Sequence, residues 1–245
     1  MSQFPGQYQG ASQREQLDYA SGTESLTVAQ FFNTVYAWMC VGLALSACVG
    51  WWVSQQDQLM QAIYGTKGGY LAIGLGAFGI AWFVQSQAGK LTATVATILF
   101  LVYAAVIGAL LAGIFIIYSP KTLMAAFFLT AGTFGGMSIY GFVTKRDLSR
   151  IGSMAVMLAF GFIIASVVNI WLGSDLLGWV ITYAILVLFV IITAYETQQL
   201  KQIAIQFADH PEMAARYAIV GSLVLYIAFI NLFIAILRIL GGRRD

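Results

Sequence analysis

The sequence predicts an all-α integral membrane protein with seven transmembrane helices. Of its 245 residues, 60% are hydrophobic and only 9% are charged, and the mean hydropathy is +0.83. A water-soluble domain of this length needs a more highly charged exterior. Long apolar blocks also alternate with short polar segments, of which Lys145, Arg146 and Asp147 form one. Lipid is therefore the expected solvent for most of the chain.

Each predicted span must be a helix, because a helix satisfies its backbone hydrogen bonds internally where water is absent. A span needs about 20 apolar residues to cross about 30 Å of hydrocarbon. Seven blocks meet this length, namely 30–53, 69–86, 91–113, 122–144, 151–172, 177–195 and 217–240. The connections between them are short, so no separate soluble domain is expected.

Residues 1–29 form a segment rich in Gln, Ser and Gly that precedes the first span. It lacks a basic region followed by a short apolar core, so it does not resemble a cleavable signal peptide. We expect a flexible N-terminal tail at 1–29 and a membrane domain at 30–245.

The distribution of Lys and Arg predicts a cytoplasmic N-terminus, because cytoplasmic loops carry an excess of positive charge. With that orientation the inner side holds Arg14, Lys90, Lys145, Arg146, Arg150, Lys201 and Arg216, and the outer loops hold Lys67 and Lys121. Arg238, Arg243 and Arg244 break the pattern, because an odd number of spans places them outside. Either this end is exported against the rule, or the last block re-enters without crossing. Its length favours seven spans and a multi-pass protein of the cytoplasmic (inner) membrane.

The sequence offers little for catalysis or for nucleic-acid binding. It contains no HExxH, GxSxG, Walker or CxxC pattern, and its one histidine, His210, lies in a polar segment typical of a helix-capping turn. The net charge of +2 comes without a basic stripe. We expect neither an enzyme nor a bound cofactor, and no nucleic-acid partner.

Two further features predict packing rather than chemistry. Cys40 and Cys48 are eight residues apart in the first span, about 12 Å along a helix and too far to bridge, so we expect buried apolar thiols. Gly132 and Gly136 form a small-xxx-small pattern that suits close helix packing.

Glu196 stands out because it directly follows the apolar run that ends at Tyr195. It marks the cytoplasmic end of the sixth helix, or it faces the bundle interior, where its protonation would change helix contacts. Position alone leaves both interpretations open. Other polar groups in or beside the spans could line a path or join helices, namely Asn169, Tyr195, Tyr226 and Asn231.

Three ordered motifs resemble the Bax inhibitor family of transmembrane proteins, in particular its bacterial branch. They are MSIYGFVTKRDLS at 137–149, AYETQQLK at 194–201, and FINLF at 229–233 followed by LRILG at 237–241. The resemblance runs from about Thr27 to the C-terminus. It implies a seven-helix fold in which the last helix is central and surrounded by the other six.

The resemblance also implies function. Members of the family are linked to a pH-sensitive calcium leak, and some bacterial relatives to control of a membrane-anchored quality-control protease. In the leak model, an aspartate near the end of the sixth helix and one in the seventh share a proton and latch the pore. Here the first position matches Glu196, and the second, which precedes FINLF, matches Ala228.

The paired latch is therefore expected to be absent, with Glu196 as the remaining gate carboxylate. The resemblance implies a pH-influenced leak of calcium or other cations, with Ca²⁺ as a transported ion rather than a cofactor. Because Ca²⁺ prefers six to eight oxygen ligands, one glutamate needs carbonyls or water beside it. The alternative is a non-conducting regulator of another membrane protein, such as a quality-control protease.

Overall fold

The structure is a computed structural model that describes the backbone of residues 6–242 and the side chains of residues 27–66 and 68–242. Across these residues it is helical, as predicted. The helices in chain order are α1 (Gly6–Ser54), α2 (Asp57–Tyr64), α3 (Lys67–Ser86), α4 (Ala93–Leu110), α5 (Ile114–Ile117), α6 (Pro120–Val143), α7 (Ser149–Leu172), α8 (Asp175–Gln206) and α9 (Pro211–Gly241).

Seven stretches are long and apolar enough to cross a membrane, which confirms the predicted number. They are Thr27–Ser54, Gly68–Ser86, Ala93–Ile117, Pro120–Val143, Ser149–Leu172, Asp175–Gln206 and Pro211–Gly241. The third combines α4 with the short α5. The proposed division into a tail at 1–29 and a membrane domain stays a prediction: residues 1–5 lie outside the described part of the chain, and α1 begins at Gly6.

The sixth and seventh spans differ from their predicted limits. We predicted an end at residue 195, but α8 continues to Gln206, and α9 begins at Pro211 rather than at residue 217. The segment after residue 195 is polar but rich in Gln, Leu and Lys, which are good helix formers. Hydropathy marks where lipid contact ends, whereas the helix itself continues into the polar layer.

Helix α9 is the most buried of the seven spans. In its most apolar window 56% of the residues are buried inside the protein, against 17–39% in the other spans. It packs against α1, α4, α6 and α8, and its fully buried side chains include Leu223, Leu225 and Leu232. The expectation that all six other spans surround α9 stays a prediction.

The turn between α7 and α8 is stabilised by Asn169. Its side-chain amide donates to the Ser174 carbonyl at 3.1 Å, and its side-chain oxygen accepts from the Ser174 amide at 3.2 Å. Gly173 adopts a left-handed conformation with φ of 62°, which suits a helix C-terminus. The Ser174 hydroxyl then accepts from the Leu177 amide at 3.3 Å and caps α8.

Two packing expectations are wrong. Cys40 and Cys48 are exposed on α1 rather than buried, although they are free thiols as predicted. A methyl group built on Gly132 or Gly136 would meet nothing within 4 Å among the described residues, so this small-residue face does not contact another helix of the chain. The close approach on α6 occurs instead at Gly141, whose added methyl would collide with the Ala194 carbonyl of α8.

Candidate functional site

Glu196 lies within α8, ten residues before the helix ends at Gln206. It therefore does not mark the end of the helix. Its side chain is partly buried and lines a cavity of about 460 Å³ inside the bundle. The cavity lies between α3, α4, α7, α8 and α9.

The cavity is mostly apolar. Its polar lining groups include Tyr70, Gln85, Tyr103 and Asn231, and Glu196 is the one charged side chain among its described lining residues. A carboxylate placed among membrane helices is costly, so such residues generally serve a function. The charge state of one carboxyl group therefore sets the polarity of a largely apolar cavity.

Small side chains create this space. The lining includes Gly74, Ala77 and Ala81 on α3, Ala159 on α7 and Ala228 on α9. Residues 74, 77 and 81 recur at helical spacing on one face of α3, and they are too small to fill the gap towards α7 and α9. Sequence reasoning missed this face, although its spacing was a usable signal.

One aromatic contact bridges α3 and α7 over the cavity. The rings of Phe78 and Phe160 meet edge to face, with their centroids 5.9 Å apart, and both residues line the cavity. Both residues are also partly exposed on the outer surface of the bundle, at 44% and 45%. They therefore lie where the cavity reaches the outer surface between α3 and α7.

Helix α9 contributes Ala228 and Asn231 to the same cavity. Ala228 is buried, and Asn231 is partly buried with its side-chain amide donating to the Ile227 carbonyl at 2.8 Å. That bond uses one of two amide protons and leaves the side-chain oxygen as a further acceptor. Glu196, Ala228 and Asn231 are thus the predicted site residues that the fold brings together.

Tyr226 belongs to the packed core beside the cavity. Its hydroxyl lies 2.6 Å from the Ser46 hydroxyl, which also contacts the carbonyls of Gly42 and Ala104 at 2.9 and 2.7 Å. Because Ser46 has one proton and two carbonyl partners, Tyr226 is the donor in this pair. The ring meets Tyr103, which lines the cavity, at a centroid distance of 5.8 Å.

Tyr195 and Asn169 have other surroundings than the cavity. Tyr195 packs so closely on α7 that a methyl group on Gly152 would collide with its ring. Asn169 is in the α7–α8 turn described above, some 27 residues from Glu196 in the chain and near the far end of α8. In this conformation neither side chain is among those that line the cavity.

The polar segment that follows Glu196 fastens the loop between α6 and α7. The Gln198 amide donates to the Arg146 carbonyl at 2.8 Å, and its oxygen accepts from the Leu148 amide at 2.9 Å. Lys201 Nζ donates to the Phe142 carbonyl at 2.9 Å and lies 4.7 Å from the centre of the Phe142 ring. The motifs at 137–149 and 194–201 are therefore in direct contact.

Asp147 lies in this loop at the start of α7. Its carboxylate accepts a hydrogen bond from the Ser149 amide at 2.9 Å. Hydrogen bonding from the Ser149 hydroxyl and amide lowers the pKa of Asp147 below its usual value. The loop therefore presents a carboxylate that is ionised at neutral pH beside its basic residues.

The described residues contain no cluster of three His, Cys, Asp or Glu side chains that could hold a metal ion. Within this part of the chain, Glu196 is accompanied in the cavity by amide and phenol groups rather than by a second carboxylate. A single carboxylate with neutral oxygen neighbours suits a transient cation contact better than a resident calcium site.

Seven helices of spanning length, five of which line a cavity that contains one carboxylate, define a multi-pass membrane protein. A family model described as "Inhibitor of apoptosis-promoting Bax1" matches residues 28–245. The chain therefore belongs to the Bax inhibitor family, as its motifs indicated.

The similar proteins are bacterial. The chain is 41% identical over 215 residues to "Inner membrane protein YbhL" of Escherichia coli K12, a match that covers 87% of this chain and 92% of the relative. A protein of Borreliella burgdorferi is 37% identical over 222 residues, covering 91% of this chain and 96% of the relative. A membrane protein of Streptococcus pyogenes is 32% identical over 218 residues, covering 88% and 93%.

Proposed function

We propose that this protein is a pH-influenced leak for calcium or other cations, with Glu196 as its gate carboxylate. The observation that carries the proposal is the position of Glu196 as the one charged group lining the cavity between α3, α4, α7, α8 and α9. An ionisable side chain inside a membrane bundle commonly lies on an ion or proton pathway.

The charge of Glu196 controls how the cavity treats a cation. When ionised, the carboxylate attracts a cation and water into a space whose other walls are largely apolar. When protonated, it removes that attraction and can form a neutral hydrogen bond. The pH of the adjoining compartment thereby sets how often the cavity admits a cation.

Asn231 is the best-placed neighbour to assist Glu196 with a passing cation. It lines the same cavity and retains an acceptor oxygen after its bond to Ile227. Carboxylate and amide oxygens are ligands that Ca²⁺ accepts, but the ion needs several more from water or backbone. Weak coordination favours release, which conduction requires.

Ala228 makes the proposed gate simpler than a pair of acids. A second carboxylate at this position would share a proton with Glu196 and titrate as a coupled unit. With Ala228 in its place, Glu196 titrates without that partner. We therefore propose a response to pH that follows one carboxyl group.

The proposed location is the inner membrane of a bacterium, with the N-terminus in the cytoplasm. The relative YbhL is named an inner membrane protein. Lys145, Arg146 and Arg150 at the loop before α7 support a cytoplasmic position for that end of the bundle, as do Lys201 near the end of α8 and Arg216 near the start of α9. Glu196 then lies towards the cytoplasmic side.

A calcium-flux assay in liposomes tests the proposal. Purified full-length protein is reconstituted, and calcium efflux is followed over a pH series against protein-free vesicles. Flux that depends on protein and changes with pH supports the leak. Flux that is absent at every pH, and stays absent in Ala228→Asp, overturns it and favours a non-conducting partner of another membrane protein, such as a protease.

A further inference from the structure

A second pocket lies at the end of the bundle where α8 extends beyond the spans around it. Helix α8 has 32 residues and is therefore about 48 Å long, whereas the hydrocarbon layer is about 30 Å thick. Its last turns stand beside the α6–α7 loop, and together they line an open pocket of about 270 Å³. A helix of this length extends beyond the hydrocarbon layer, and its polar end after Glu196 is the part whose composition suits the headgroup layer.

Three of the side chains that line the pocket are positively charged. Lys145, Arg146 and Lys201 line it, together with one carboxylate, Asp147. The one ion pair among the described residues is Arg216 with Glu212 at 3.9 Å, so none of the three cations is paired with a carboxylate in the described chain. The pocket therefore carries three positive charges against one negative charge, and no ion pair joins them among the described residues.

The positive charge of Lys201 offsets the partial negative charge at the carboxyl end of α6. The carboxyl end of α6 points its partial negative charge at the pocket, which disfavours an anion. Lys201 donates to the Phe142 carbonyl at that helix end, and this bond uses one of its three ammonium protons. The other protons remain for a ligand beside Lys145 and Arg146.

The pocket floor is narrow because α6 and α8 approach closely beneath it. Gly141 lines the pocket and lies against the Ala194 carbonyl, where no side chain would fit. Gln198 fixes the loop above by its bonds to Arg146 and Leu148. The basic side chains therefore extend from a main chain that is held in place on both sides.

Exposed apolar side chains occur at the same end of the bundle as the pocket. Ile205 of α8 lines the pocket and is 48% exposed, and Val143, in the last turn of α6, is 67% exposed. A ligand with acyl chains could cover these side chains while its polar group occupies the pocket. A soluble anion would leave them uncovered.

We propose that the pocket formed by Lys145, Arg146 and Lys201 binds a phosphate group, supplied by the headgroup of an anionic phospholipid. Basic pockets between membrane helices are suited to anionic headgroups. Arg146 offers paired donors for phosphate oxygens, and the lysines contribute point charges. The site is separate from the Glu196 cavity and does not depend on whether the protein conducts ions.

Binding of short-chain lipids to the purified full-length protein tests this site. Dioctanoyl phosphatidylglycerol, dioctanoyl phosphatidylcholine and inorganic phosphate are titrated separately in an uncharged detergent and followed by calorimetry. We expect saturable binding of the phosphatidylglycerol and weaker binding of the other two. Binding of inorganic phosphate as tight as that of phosphatidylglycerol retains the anion site but assigns it to a soluble phosphate.

Charge-matched variants locate the binding. Lys145→Gln with Arg146→Gln should weaken phosphatidylglycerol binding by about tenfold or more, whereas Lys90→Gln with Lys121→Gln removes the same charge elsewhere and should leave it unchanged. Asp147→Asn should strengthen binding, because it removes the one negative charge from the pocket. The proposal is overturned if the Lys145/Arg146 variant binds phosphatidylglycerol as tightly as the native chain. It is also overturned if the control pair loses as much binding, or if Asp147→Asn binds more weakly than the native chain.

Discussion

The side chain of Gln198 on α8 accepts a hydrogen bond from the Leu148 amide at 2.9 Å. Its amide group also donates to the Arg146 carbonyl at 2.8 Å. One side chain therefore satisfies a main-chain donor and a main-chain acceptor of the α6–α7 loop. The two contacts join sequence motifs about 50 residues apart. They fix the α6–α7 loop relative to the helix that carries Glu196.

Gln198→Ala should lower the thermal stability of the protein. The substitution removes the side-chain acceptor of the Leu148 amide and the side-chain donor to the Arg146 carbonyl. Leaving these main-chain groups without hydrogen-bond partners lowers the free energy of unfolding by about 1–3 kcal/mol. Thermal unfolding in detergent measures the change. Gln202→Ala, one turn further along α8 and exposed, is the control. Equal unfolding temperatures for the two variants would contradict this role of Gln198.

Tyr226→Phe should lower stability without removing cation flux. The variant keeps the ring contacts with Phe100 and Tyr103 but loses the bond to Ser46, worth about 0.5–1.5 kcal/mol. Tyr183→Phe is a suitable control, because Tyr183 is 53% exposed and the variant keeps the stacking of its ring on Trp179. Loss of flux in a stably folded Tyr226→Phe protein would instead place this hydroxyl on the conduction path.

Gly141→Ala should destabilise the bundle more than Gly132→Ala. A methyl group at Gly141 would collide with the Ala194 carbonyl, whereas one at Gly132 meets nothing within 4 Å among the described residues. Forcing an additional carbon into a close helix contact costs about 1–3 kcal/mol. Both glycines lie in α6, so helix propensity cancels between them. The difference in unfolding temperature is the readout, and similar values would contradict the close approach of α6 to α8.

Ala228→Asp should change the pH dependence of flux. The new carboxyl group would enter the cavity that Glu196 lines, and the two groups would titrate as a coupled pair. Ala228→Asn is the matched control, because it has nearly the same shape without the charge. We expect Ala228→Asp to shift the pH at which flux is half-maximal relative to Ala228→Asn. Identical pH profiles would show that position 228 is not coupled to the gate.

Much of the fold follows from the sequence alone because lipid imposes a simple rule. Every spanning segment must be apolar, long and helical, and seven such blocks are readable from hydropathy. The same rule fails at polar helix ends. The residues from Glu196 to Gln206 are too polar to count as a span, yet they remain helical, so the predicted end of the sixth helix was wrong.

Contacts between helices were less predictable than the helices themselves. Hydropathy cannot tell which face of a helix meets lipid and which meets protein, because both surroundings are apolar. For this reason Gly132 and Gly136 were assigned to a helix contact that Gly141 makes instead, and Cys40 and Cys48 were assigned to the core. The meeting of Glu196, Ala228 and Asn231 in one cavity depends on the rotation of α8 and α9, which requires the structure.

The most direct measurement of the central claim is calcium efflux from liposomes that contain Glu196→Gln, compared with the native chain at several pH values. Glu212→Gln is the control, because Glu212 is an exposed carboxylate whose pair with Arg216 contributes little. The account predicts that Glu196→Gln abolishes the pH dependence of efflux and that Glu212→Gln retains it. An unchanged pH profile in a folded Glu196→Gln protein would contradict the assignment of Glu196 as the gate.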